Sequence, residues 1–225
     1  MIIAIVQARL GSQRLPGKVL SEVRGKSLLS YIMERLELCE GLDAIKVAVP
    51  LKDHEAIYAA LKNHKCEVVG VPGDENDVAR RFRYVLGEMQ DKFPKAFVRL
   101  CADSPLIDPV LVDWMIEQYE GGLLTNTKPR TFPAGQCVEI MDAKGFIGLR
   151  SGDTKWTAED REHVTPWFYR NCRFKNTTTP DGKDYSHVNM CIDTYDDFLR
   201  VAGVIEKMDR PHTTYGWREL AGMMQ

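Results

Sequence analysis

Residues 2–18, IIAIVQARLGSQRLPGK, constrain the fold more than any other part of the chain. They begin as an apolar, largely β-branched run of the kind used by a strand buried on both faces. With no linker, the run passes into a loop carrying three cations (Arg9, Arg14, Lys18), two glycines (Gly11, Gly17), Ser12 and Pro16. Glycines let backbone N–H groups approach an anion closely, and the cations neutralise its charge. A buried strand opening into such a loop is expected at the carboxyl edge of a sheet, holding a polyphosphate. An ordinary strand-to-helix turn with solvated charges accounts for any one of these residues but not for the cluster.

Two familiar phosphate loops are excluded. Walker A needs four residues between its glycines and a hydroxyl after its lysine. Here Gly11 and Gly17 stand one residue too far apart, and Val19 follows Lys18. The dinucleotide fingerprint G-x-G-x-x-G is absent as well. The formal net charge of −2 argues against a general nucleic-acid binder, so any basic site must be local. The start of the chain has no basic segment, and its apolar run is too short for a signal peptide or a membrane span. Cysteines 39, 66, 101, 137, 172 and 191 form no C-x-x-C pair. A reduced, cytoplasmic protein without structural zinc and without a nucleic-acid or membrane partner is expected.

Strand and helix signals then alternate. Ser27 is placed to cap a helix in which Leu28, Leu29, Ile32, Met33 and Leu36 recur at helical spacing. Strands are predicted at 44–49, 67–71 and 96–101, and helices at 53–64, 77–89 and 109–119, the last capped by Asp108. Such alternation means an open, mostly parallel α/β sheet with right-handed crossovers. A fifth strand is predicted at 123–125. Between Asn126 and Asn189, four prolines break the rhythm, leaving strand-like pieces at 137–141 and 173–178 and a capping pattern at Thr157 and Asp160. We therefore expect a single domain, 1–225, in which 126–187 is an insertion covering the nucleotide edge. The apolar residues of that insertion (Phe132, Val138, Ile140, Phe146, Trp156) are expected to pack against a second copy. The sheet pattern resumes at 188–192 and leads into a helix at 195–208, and a last short helix follows Pro211.

Asp103 and Asp193 each follow an apolar strand-like run. If those runs are neighbours, both carboxylates reach the edge that carries the cationic loop, and such a pair beside a polyphosphate suits magnesium. The alternative is that Asp193 caps the last long helix and Asp103 opens a turn.

These features have a familiar combination. The run Ala8-Arg9-x-x-Ser12-x-Arg14-Leu15-Pro16-Gly17-Lys18-x-Leu20, then Gly25-Lys26, Asn76-Asp77-Val78, Asp103-Ser104-Pro105-Leu106-Ile107-Asp108-Pro109 and Ile192-Asp193-Thr194 span nearly the whole chain. Together they resemble the CTP-dependent sugar-acid cytidylyltransferases, which include the acylneuraminate and 3-deoxy-octulosonate enzymes. Arg161-Glu162-His163-Val164-Thr165-Pro166 looks most like the spore-coat polysaccharide group of that family. The loop Leu15-Pro16-Gly17-Lys18-Val19 departs from the I-P-x-K-N of the acylneuraminate enzymes, which leaves the sugar open.

The resemblance implies a three-layer, Rossmann-like nucleotidyltransferase (GT-A-like) fold with a mostly parallel sheet. It implies transfer of CMP from CTP to an ulosonic sugar acid, with Mg2+ as cofactor and a homodimer as the assembly. By the same resemblance, Arg9, Ser12 and Lys18 hold the triphosphate with Arg14 in support, and Asp103 and Asp193 hold magnesium. Arg9, Lys18, Asp103 and Asp193 would be the catalytic set. The backbone at Ala8, Leu10 and Gly11, with Asp77, Arg80 and Arg99, would face the base and ribose. An acidic sugar also needs a cation and polar partners, for which Arg130, Gln136, Arg161 and His163 are the candidates. His163 also reads as a packed histidine one helical turn before Trp167, and Glu139 as a solvated strand residue. Two rivals remain: a nucleotidyltransferase acting on a phosphonate or phosphorylated polyol, and a non-catalytic nucleotide-binding protein. Retention of Lys18, Asp103 and Asp193 together argues against the second.

Overall fold

A computed structural model describes residues 1–89, 92–149 and 156–224. The first half alternates as its apolar periodicity dictates: β1 (Ile2–Gln7), a small hairpin of β2 (Glu22–Val23) and β3 (Lys26–Ser27), α1 (Leu28–Leu36), β4 (Ala44–Pro50), α2 (His54–Leu61), β5 (Glu67–Val71), α3 (Val78–Glu88), β6 (Ala96–Cys101) and α4 (Pro109–Glu117). There follow β7 (Leu123–Thr125), β8 (Glu139–Asp142), α5 (Ala143–Gly148), α6 (Ala158–His163), α7 (Pro166–Asn171), β9 (Phe174–Asn176), α8 (Tyr195–Glu206) and α9 (Trp217–Met223). The expected caps are in place: Ser27 accepts the Ser30 N–H, and Thr157 with Asp160 forms a capping box.

Seven strands form one sheet in the order β5-β4-β1-β6-β8-β7-β9. The first four are parallel; β8 runs antiparallel to both β6 and β7, and β9 is parallel to β7. Because β1 lies between β4 and β6, Ile3 to Val6 are fully buried, which is why its sequence is apolar without alternation. Alternate residues face two cores. Ala4, Val6, Val47 and Val98 pack under α1, α2 and α4, while Ile3, Ile5 and Phe97 pack under α3 and α5. The result is a three-layer α/β architecture.

Two expectations change. Residues 188–192 are not a sheet strand: the segment runs extended beside 134–136, with Met190 N–H donating to the Ala134 carbonyl at 2.8 Å. The approach is close enough to require Gly135, at φ 92°, where a Cβ would lie 2.9 Å from the Met190 backbone. The apolar residues of 126–187 are also used internally. Phe132, Val138 and Ile140 are buried in the first core, and Phe146 and Trp156 in the second. They offer no face to a second copy.

Candidate active site

A cleft of about 860 Å³ opens at the carboxyl ends of the parallel strands, as the sheet's geometry directs. The loop after β1 forms one wall. Its shape is set by its own backbone: the Leu10 carbonyl accepts the N–H groups of Ser12 and Gly17, each at 2.9 Å. Gly17 has φ 70°, the left-handed conformation that favours glycine. Asp53 Oδ2 takes the Leu10 N–H at 2.9 Å. Leu10 is thus spent on holding the loop, and neither it nor Gly11 lines the cleft, whereas Ala8, Arg9, Ser12, Arg14 and Lys18 do.

Each cation in this wall already has an acidic partner. Lys18 Nζ lies 3.0 Å from Asp193 Oδ1 and donates to the Ile192 carbonyl at 2.6 Å. Arg14 Nη2 lies 3.2 Å from the same Asp193 oxygen. Arg9 donates to Asn76 Oδ1 at 2.6 Å, and its other nitrogen lies 3.4 Å from Glu162 Oε1 on α6.

Asp103 lies two residues beyond the end of β6. Its backbone carbonyl accepts the Ile192 N–H at 2.8 Å, and this bond carries Asp193 to the same place without a shared strand. Burial pushes the Asp103 carboxyl above its ordinary value, while Lys18 and the Ser104 hydroxyl (2.9 Å) pull it down. Asp193 is not the cap of α8. Thr194 and Asp197 form that capping box, and Asp197 also accepts the Asp193 N–H at 3.1 Å. Asp108 is structural: one oxygen caps α4 through Val110 N–H (2.9 Å), and the other accepts the Trp217 N–H (2.7 Å).

Residues 3–202 match the sequence profile of the cytidylyltransferases. The chain belongs to the cytidylyltransferase family. Its enzyme class is CTP-dependent nucleotidyl transfer. The Bacillus subtilis spore coat polysaccharide biosynthesis protein SpsF is 28% identical, over 93% of this chain and 89% of that one. The 3-deoxy-manno-octulosonate cytidylyltransferase of Anaeromyxobacter sp. is 30% identical over 68% of this chain and 60% of its own. A cytidylyltransferase structure from Leptospira borgpetersenii superposes with a TM-score of 0.87 at 24% identity, covering 99% of this chain and 93% of that one. The fold is thus the nucleotidyltransferase one.

In this cytidylyltransferase the remaining candidates divide. Asp77 lines the cleft and caps α3 by accepting the Arg80 N–H at 2.8 Å. Arg80 itself lies over Gly73, outside the cleft. The residue facing inward is Arg81, which is buried, donates to the Glu75 carbonyl at 2.6 Å and has its pKa lowered by burial to about 10. Helical spacing could have found it: Arg81 sits three residues after buried Val78 and four before buried Val85.

Of the acceptor candidates, Arg161 and His163 line the cleft. Arg130 is exposed and donates to the Ser186 carbonyl at 3.2 Å, and it does not line the cleft. Gln136 is buried, bridging Asp108 N–H (2.9 Å) and the Leu106 carbonyl (2.8 Å). His163 is not packed as the helical spacing to Trp167 suggested, because α6 ends there. Val164 (φ 69°, ψ −57°) makes a tight γ-turn, closed by Thr165 N–H donating to the His163 carbonyl at 2.8 Å. A β-branched residue at positive φ is strained, and such strain collects at functional sites.

Arg99 stands at the cleft floor, paired with Glu139 and donating to Gln7 Oε1 at 3.2 Å. Glu139 is buried rather than solvated, because α7 covers it and the Tyr169 hydroxyl donates to it. Asp103 and Asp193 are suited to a divalent ion. They bring two carboxylates beside the cationic loop, and among the described residues no cluster of three or more acidic, His or Cys ligands exists. Magnesium typically takes one or two carboxylates and completes its shell with substrate phosphates and water.

Proposed function

We propose that this chain transfers CMP from CTP to a sialic-acid-like or other ulosonic sugar acid, releasing pyrophosphate, in surface polysaccharide or glycan biosynthesis. The observation that carries the reading is the cleft wall, where Arg9, Arg14 and Lys18 meet Asp193 beside Asp103. When CTP enters, its triphosphate replaces the acids as partner of these cations. Lys18, Arg9 and Arg14, with Ser12, then hold it and neutralise the charge that grows on the leaving pyrophosphate. Asp103 and Asp193 would hold Mg2+, which when bound supplies charge neutralisation on the phosphates and acidifies a bound hydroxyl. The acceptor hydroxyl forms a bond to the α-phosphorus as the α–β bridge breaks, one proton being released per turnover. Asp77, Arg81, Arg161 and His163 all line the cleft; in this reading the first two meet the nucleoside, and Arg161 and His163 meet the acceptor's acid group. The name of the similar Anaeromyxobacter protein supports a sugar-acid acceptor, and that of the B. subtilis protein supports a role in polysaccharide biosynthesis. Cytoplasmic location and a homodimer belong to the same reading; family membership supports them, and no helix among the described residues is long and apolar enough to cross a membrane.

The test is pyrophosphate release with magnesium and each of CTP, UTP, GTP and ATP, across ulosonic acids, phosphonates and phosphorylated polyols. Release with CTP and one ulosonic acid is the expected result. Turnover only with a phosphonate or phosphopolyol would keep the nucleotide and remove the sugar.

A further inference from the structure

We propose that the Arg99–Glu139 pair, together with the Tyr169 hydroxyl, is the wall that reads the acceptor's hydroxyl groups and so sets which acceptor this chain takes. This rests on the transfer reading above. Behind the cleft lies a chamber of about 290 Å³ that shares Arg99, Cys101 and Asp103 with it. A molecule in the chamber therefore has one end at Asp103, where the α-phosphorus of CTP would lie. The volume is at the lower end of small-ligand sites, roughly 300–1,000 Å³.

The wall is an exception within its own sheet face. Arg99 on β6 stands opposite Glu139 on β8, which stands opposite Thr125 on β7. Two residues further into the sheet, the same face carries Phe97, Met141 and Leu123, all buried in the apolar core. On the opposite face, Val98 pairs with Ile140 in the other core. Apolar residues on both faces thus already fix the register of these strands. A buried ion pair in their midst typically gains no more than its desolvation costs, so stability does not explain its presence.

What the pair does offer is a fixed donor beside a fixed acceptor. Each Glu139 oxygen accepts one bond, from Tyr169 and from Arg99, and a carboxylate oxygen accepts more than one. Arg99 engages Nη1 and Nε, leaving Nη2 without a protein partner among the described residues. The Tyr169 hydroxyl is held by Thr125 and Thr127, 3.1 and 2.9 Å away. One hydroxyl of a vicinal diol can donate to Glu139 while its neighbour accepts from Arg99. Because the pair is neutral overall, it selects hydroxyls rather than a carboxylate, whose place is the cleft side beside Arg161. The Val164 turn serves both sides, leaving His163 in the cleft and Thr165 and Tyr169 in the chamber.

The decisive variant is the double substitution Arg99→Met/Glu139→Met, since removing one partner alone would leave a buried charge. Pyrophosphate release is measured with CTP and either 3-deoxy-manno-octulosonate or N-acetylneuraminate. The double variant should stay folded, with Tm within about 3 °C of the parent. Its kcat/KM for the acceptor should fall at least about thirtyfold, as when a site built to bond a hydroxyl loses its partners. An unchanged acceptor kcat/KM in the folded variant would overturn the proposal, since a purely structural pair can be replaced by apolar residues without kinetic effect. If the parent turns over neither sugar acid, the transfer reading fails for them, and the wall is tested alone by saturation-transfer NMR with mannitol on protein loaded with CTP and magnesium. Contact in the parent that disappears in the double variant upholds the wall. No contact in the parent overturns it. A variant that fails to fold is replaced by Tyr169→Phe, which should raise KM for the acceptor (or weaken mannitol contact) and leave CTP unaffected; an unmoved value there counts against the proposal.

Discussion

The β1 loop and the β6–β8 wall flank the same Asp103, yet one is built from neighbours in sequence and the other from residues that meet only through strand pairing. Arg9, Ser12, Arg14 and Lys18 fall within ten residues, and the loop that displays them is closed by its own Leu10 and Gly17. Arg99, Glu139 and Tyr169 come from two strands and a helix spread over seventy residues. The loop cations are partly exposed and held by acids that a ligand can displace. In the wall Glu139 is buried and Arg99 and Tyr169 are partly buried, joined to it by a cross-strand ion pair and a helix-to-strand hydrogen bond. A site made of exchangeable ion pairs suits a polyphosphate shared by many enzymes, and a rigid buried wall suits discrimination between similar acceptors.

The comparison breaks most visibly at Asp103, which both regions share. Asp103→Asn should reduce turnover on the order of a thousandfold. Burial already disfavours its charged form, so the variant should melt no lower than the parent. Near-parental turnover would remove Asp103 from the metal and the mechanism alike.

A smaller effect separates scaffold from site. Gln136→Leu leaves the Asp108 N–H and the Leu106 carbonyl buried without partners, so stability should fall by about 2 kcal/mol. Denaturant unfolding measures the loss. Both KM values should hold, and a raised acceptor KM would return Gln136 to the site.

The smallest effect sharpens the contrast on the loop side. Glu162 lies 3.4 Å from Arg9, a part-exposed pair worth less than about 1 kcal/mol, and in the proposed reading it competes with the triphosphate for that cation. Glu162→Gln should lower KM for CTP by about threefold or less. A rise would mean that Glu162 contacts the nucleotide itself.

The same contrast explains what was legible in the sequence. Strand runs, caps and the cationic loop depend on residues within a few positions of one another, so β1, β5, β6 and β7 and the caps at Ser27, Asp108 and Thr157 could be read directly. Asp103 and Asp193 were each visible after an apolar run, but their meeting depends on one long-range bond, Ile192 N–H to the Asp103 carbonyl, and not on a shared strand. Residues 188–192 have a strand's composition and lack a strand's partner. Glu139 read as solvated because alternation cannot reveal that α7 closes over that face, or that Arg99 stands opposite. Arg80 and Arg81 are adjacent, and only the helix's phase separates the outward residue from the one in the cleft.

Phosphorus NMR of the products tests the central claim most directly: that the acceptor attacks the α-phosphorus of CTP held by the β1 loop. With magnesium, CTP and an accepted ulosonic acid, the expected spectrum shows free pyrophosphate and a single new phosphodiester joining CMP to the sugar. A phosphorylated acceptor accompanied by CDP would mean attack at the γ-phosphorus, and would contradict the assignment of Lys18 and Arg9 to the leaving group.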